Sequence, residues 1–162
     1  MNTLFNKDNS MVPERPDVDN EDVKDIFIKQ AVEDLFAERD CGFTEHEKPM
    51  LIESLMRHWE EHCDEYELAK DFERDGWAVD YDFVTQLENA CGYVNAALKA
   101  HIDEWANSND IAPPYEIGTQ LDIGVITGVS EYEPATYRVL VHGEPEHSTS
   151  RRLIKFEDAR LQ

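Results

Sequence analysis

Residues 105–129 read WANSNDIAPPYEIGTQLDIGVITGV, and the fold turns on this stretch. Before it, apolar residues recur at helical spacing. After it, Leu121, Ile123 and Val125 alternate with other residues, the period of a strand with one buried face. Between the two patterns lie Asn109–Pro114, whose two prolines cannot continue a helix, so this segment is expected to be a linker. The chain therefore divides into a flexible tail at 1–17, an acidic helical domain at 18–108, a linker at 109–114 and a small β domain at 115–162. The expected class is α+β, with a bundle of three to four helices first.

Upstream of the linker, the first helix is expected from Asn20 to Glu38, with Asp19 or Asn20 as its cap. Val23, Ile26, Phe27, Ala31 and Leu35 form its inner stripe, widened by Ile28, Val32 and Phe36. A second helix begins near Thr44, where Thr44 and Glu47 have capping-box spacing, or else just before Pro49. Ile52, Leu55, Met56, Trp59, Cys63 and Tyr66 make one apolar stripe. Its phase then drifts to Leu68, Ala69 and Phe72, which predicts a kink with Asp64 as a new cap. Gly76 ends the segment. The last helix is expected from Asp82 to Asn107 as the central, most buried one, with Ala96, Ala97, Ala100 and Tyr93 on a second, small-residue face.

Downstream, Tyr137, Val139 and Val141 form another alternating strand and Arg152–Phe156 a further one. Gly143–His147 is a hairpin connection, and Glu157–Leu161 a final turn. The succession YEIGT, GVITGV, TYRVLV and IKFEDARL over Tyr115–Gln162 resembles SH3-like and Tudor-like barrels. The resemblance implies a closed small barrel that binds peptides, modified side chains or nucleic acid. Tyr115, Tyr132, Tyr137 and Phe156 would supply either an aromatic recognition surface or core.

Charge is the strongest functional signal. The chain has 162 residues, 36 of them Asp or Glu against 15 Lys or Arg, a net of −21. Residues 18–108 hold 24 acidic and 8 basic residues, a net of −16, whereas residues 109–162 hold 9 and 5, a net of −4. Such a charge disfavours nucleic-acid backbones and anionic membranes and favours a basic protein surface. Glu53, Glu60, Asp64, Glu67 and Asp71 fall at helical spacing. On an unbroken helix they would form one carboxylate stripe, thickened by Glu61, Glu65, Glu73 and Asp75. Carboxylates one turn apart stand about 6 Å from each other. In composition the chain resembles the DNA-mimic inhibitors of phages and plasmids. That resemblance implies occlusion of a nucleic-acid-handling protein, as an anti-CRISPR or anti-restriction inhibitor does. An adaptor acting through the barrel, or an immunity protein neutralising a basic toxin, are the alternatives. The apolar helix faces also leave a dimer open.

The residues point away from catalysis. His58 and His62 stand four apart with Glu65 one turn on, a metal-clamp spacing, but Trp59 occupies the place where zinc proteases carry glutamate. Cys41, Cys63 and Cys91 are odd in number and widely spaced, which suits free thiols in a reducing compartment. His101 lies on an apolar face. There is no glycine-rich phosphate loop and no calcium-binding loop in 71–82. No enzyme activity and no cofactor are expected. With no apolar leader and no run of ~20 apolar residues, the expected location is cytoplasmic.

Overall fold

The computed structural model describes residues 2–162. It contains four α-helices, α1 (Glu21–Ala37), α2 (Lys48–His58), α3 (Glu65–Arg74) and α4 (Tyr81–Asn109). A four-stranded antiparallel sheet follows, built from β1 (Gln120–Leu121), β2 (Gly124–Val129), β3 (Thr136–Val141) and β4 (Arg152–Lys155). The class is α+β. Among the described residues no helix is long and apolar enough to cross a membrane. Two compact units are present: Pro16–His101, and the residues up to Arg15 together with Ile102–Gln162.

In the helical unit α1 and α3 start where a side chain satisfies orphan backbone donors. Asn20 caps α1 by accepting from the Asp22 and Val23 N–H groups, and Glu21 and Asp22 in the first turn complement the helix dipole. Phe27, Ile28, Ala31, Val32 and Leu35 are buried, but Ile26 is 53% exposed. The buried face is thus turned toward Ile28 and Val32, away from the expected Val23–Ile26 side. Helix α2 starts at Lys48 with Pro49 in its first turn, the second of the two expected starts. The Thr44–Glu47 pair does form, one turn earlier, where Glu47 accepts from the Thr44 N–H and hydroxyl.

The expected kink is a full break. Helix α2 ends at His58, and Asp64 caps α3 by accepting from the Tyr66 and Glu67 N–H groups. Trp59, the residue after α2, is buried with its ring edge-on to Phe27 of α1, centroids 5.7 Å apart. Gly76, in the left-handed region at φ +100°, turns the chain after α3. Trp77 then joins Phe43, Phe72 and Phe83 in an aromatic cluster with centroids 5.5–6.0 Å apart. Helix α4, expected to be the central, most buried helix, is buried along one face only. Leu87, Ala90, Cys91, Val94 and Leu98 are buried, while Ala96 and Ala100 on the small-residue face are exposed. Alanine suits a helix position in water as well as in a core, so composition does not place it.

In the second unit the core comprises Leu4, Val12, Trp105, Leu121, Ile126, Tyr137, Val139, Phe156 and Ala159. The sheet is a meander in which each strand pairs with its sequence neighbour. It is not closed into a barrel. Strand β1 has only two residues. The tail returns to it through one isolated bridge, Leu121 to Leu161, beside the Asp122 N–H bond to the Arg160 carbonyl. Closure would require edge strands paired along their length. Gly124 is needed where β2 passes β3, because a Cβ there would lie 2.0 Å from the Leu140 carbonyl oxygen.

The leading segment, expected to be a flexible tail, packs into this core through Leu4 and Val12. It also pins the expected linker. Phe5 accepts from the Ala112 N–H, and Lys7 donates to the Asp110 carbonyl and pairs with its carboxylate at 2.5 Å. Tyr137 and Phe156 are core, with rings 4.4 Å apart. The buried Tyr137 hydroxyl accepts from the Tyr115 N–H at 2.7 Å and donates to the Tyr115 carbonyl at 3.0 Å. Burial pushes its pKa above the ordinary tyrosine value. Tyr137→Phe keeps the ring but strands both Tyr115 groups, so it is expected to cost about 1–3 kcal/mol in urea unfolding.

Candidate protein-binding surface

The carboxylates expected to form one stripe lie on three successive pieces of the helical unit. Glu53 is on α2, Glu60 and Glu61 are in the connection, and Asp64, Glu65, Glu67, Asp71, Glu73 and Asp75 belong to α3 and its caps. The break at Trp59–Cys63 therefore divides the stripe. Several members also have partners within the unit. Glu53 pairs with Arg57 at 2.6 Å and Glu67 with Lys70 at 2.6 Å, while Asp71 pairs with Arg74. The outer face of α3 is accordingly mixed in charge.

Asp75 does not belong to the surface. One oxygen accepts from the Ser54 hydroxyl at 2.9 Å and lies 3.0 Å from His58 Nε2; the other meets Arg57 Nη1 at 2.9 Å. Trp77 Nε1 donates to Ser54 Oγ at 3.1 Å and extends the network into the core. Desolvation acts to raise the Asp75 pKa. The Ser54 and His58 hydrogen bonds and the Arg57 and His58 charges outweigh it, so the net shift is downward. A depressed carboxyl contributes stability that is present above its unfolded pKa and lost as pH falls through the folded value. The acid limb of a thermal-stability profile should therefore flatten below pH 3.8 in Asp75→Asn relative to the native chain.

What remains is concentrated at one turn. Residues 60–67 include Glu60, Glu61, Asp64, Glu65 and Glu67 and no lysine or arginine. Glu60, Glu61, Asp64 and Glu67 are exposed and Glu65 half-buried. Glu60, Glu65 and Glu73 make no ion pair among the described residues, and Glu61 reaches only His62, at 3.8 Å. The location has a physical reason. Acidic groups at a helix N-terminus are favoured by the dipole, so Asp64, Glu65 and Glu67 gather there with less mutual cost than in mid-helix. Opposite this turn, Lys24 Nζ donates to the Trp59 carbonyl at 2.7 Å. Its pKa is lowered chiefly by burial, against an upward pull from Glu60.

The metal-clamp spacing is not realised. Helix α2 stops at His58, His62 sits beyond the break at φ +66°, and His58 is committed to Asp75. Among the described residues no group of three or more His, Cys, Asp or Glu is placed to hold a metal ion. The three cysteines are free thiols. Burial, reinforced by Cys63, pushes the Cys91 thiol far above its ordinary pKa, which keeps it protonated.

Two features escaped the sequence reading. The Asp75 network joins residues 17–21 positions apart, and no local pattern signals it. The buried Arg15–Glu157 pair spans 142 positions. Comparison with protein-family models, with curated proteins and with solved structures found no match to this chain.

Proposed function

We propose that this chain is a non-enzymatic acidic binding protein that inhibits or regulates a basic, nucleic-acid-handling protein by occluding its positively charged surface. It would be an anti-defence inhibitor of the DNA-mimic kind, such as an anti-CRISPR or anti-restriction protein. The carrying observation is the distribution of charge. The helical unit, Pro16–His101, has 23 acidic and 8 basic residues, a net of −15 out of −21, with five carboxylates and no lysine or arginine within residues 60–67. A field of that sign steers encounter with a basic groove and repels nucleic acid and anionic membrane. The partner-binding groups are Glu60, Glu61, Asp64, Glu65 and Glu67, with Glu53, Asp71 and Glu73 at the margins.

Capture from a bacterial lysate on the immobilised chain, eluted with rising salt, tests the proposal when each eluted protein is then challenged with DNA. A basic nucleic-acid-binding protein released by moderate salt and displaced by DNA is the expected result. A partner that resists salt and ignores DNA would contradict it.

A second reading makes the sheet unit an adaptor. Its support is the one-turn 3-10 helix Phe156–Asp158 after β4 and the return of Leu161 to β1, the order in which an SH3-like barrel closes. The corresponding expectation is that a partner stays bound when the carboxylates at 60–67 are neutralised.

A further inference from the structure

Acidic residues outnumber basic ones 36 to 15 along the chain, yet β2, β3 and β4 contain no Asp or Glu. Arg138, Arg152 and Lys155 lie in β3 and β4, and Arg151 immediately precedes β4. Register places them. Arg138 pairs with Leu153 on one side and Gly128 on the other, and Thr136 pairs with Lys155. Cross-strand partners share a face, and residues two apart on a strand do too. Arg138, Arg151, Leu153 and Lys155 therefore occupy the face opposite buried Tyr137 and Val139.

This face is built. The Arg138 guanidinium lies across Gly128, where a Cβ would stand 2.8 Å from Nη2. Arg151 is fixed by Nε donating to Thr127 Oγ1 at 3.0 Å and by Nη1 donating to the Ser148 and Ser150 carbonyls. Leu153, 48% exposed, stands among the cations. Among the described residues no carboxylate lies within ion-pair distance of Arg138, Arg152 or Lys155. Strand β4 is also a sheet edge, with no strand on its far side. Charged side chains can protect an edge from pairing, but either sign serves that purpose. In so acidic a chain, cations alone point to an anionic occupant.

We propose that this face is a second recognition surface, which takes an acidic, extended peptide segment paired along the open edge of β4. The free backbone edge supplies the ladder, and the cations select carboxylates at alternate positions, those on their own face of the incoming strand. A nucleic-acid strand fits less well, because its denser charge meets the field of a −21 chain and uses none of the backbone edge. The inference is independent of the function proposed for the helical unit.

The test is fluorescence anisotropy with the full chain and a labelled peptide of alternating glutamate and valine. The comparison probes are the lysine–valine peptide, a backbone N-methylated version of the acidic peptide, and an oligothymidylate. Binding of the acidic peptide alone is expected, weakened roughly tenfold or more by Arg138→Glu with Lys155→Glu and similarly by N-methylation. Amide NMR shifts on the native chain provide a check that needs no variant, and they should concentrate on β3 and β4. Absence of binding, shifts elsewhere, indifference to both substitutions and N-methylation, or preference for the oligothymidylate would each overturn the proposal.

Discussion

Replacing Arg15 by alanine is expected to destabilise the sheet-containing unit by about 3–5 kcal/mol. The side chains of Arg15 and Glu157 are only 8% and 10% exposed, and Arg15 Nε meets Glu157 Oε1 at 2.5 Å. The same guanidinium donates to the Pro134 and Ala135 carbonyls and stacks 4.9 Å from the Trp105 ring centroid. Alanine would leave a buried carboxylate without its counter-charge, which is where the cost lies; the Pro134 and Ala135 carbonyls would each lose one donor but keep the Thr136 hydroxyl and the Phe156 N–H respectively. Ala135 has a positive φ of 49°, so the turn that Arg15 clamps is itself strained. Arg15→Lys should recover part of the loss, since it restores charge but not the planar fork. Calorimetric melting of the three proteins measures both steps. An alanine variant as stable as the native chain would mean that the leading segment does not hold the sheet.

Trp59→Ala is expected to cost the helical unit about 3–5 kcal/mol by leaving a cavity beside Phe27 of α1. Trp59 is 1% exposed, packs edge-on to Phe27, and occupies the residue at which α2 ends. Urea unfolding followed by far-UV circular dichroism reads the loss. Trp59→Phe, which fills part of the volume, should cost less. The break between α2 and α3 presents the acidic turn, so Trp59→Ala should also weaken partner capture without altering a single charge.

Much of this architecture was legible where physics is local. Asp64 as a cap, Pro49 in a first turn and Gly76 as a stop each follow from groups within one turn of each other, whereas the expected alternation of Leu121, Ile123 and Val125 is divided by the tight turn between β1 and β2. The buried face of α1 was not legible to the residue, because Ile26 and Ile28 are equally apolar and only packing chooses between them. The leading segment gave no period. It contributes Leu4 and Val12 singly, from isolated bridges rather than a strand. Strand rhythm gave the sheet but not its closure, since closure depends on pairing between β1 and the last residues of the chain. At the candidate surface, every carboxylate could be named from sequence. The division into an exposed turn, paired flanks and a structural Asp75 depends on contacts with Arg57, His58 and Ser54 across the break. The basic face of the sheet was readable in principle from the two-residue period of β3 and β4. Pooled with the nine acidic residues of the loops and turns from 109 onward, its charge vanished into a net of −4.

The most direct measurement is the affinity of the captured partner for the native chain and for a variant with Glu60, Glu61, Glu65, Glu67 and Glu73 changed to glutamine, followed as a function of salt. Glutamine preserves shape and helix propensity, and the Asp64 cap and the Asp75 network are left intact. The account predicts steep weakening of native binding with rising salt, and a variant that binds much more weakly at low salt with a shallower dependence. Equal affinities and equal salt dependence for the two proteins would contradict it, and would move recognition away from the acidic turn.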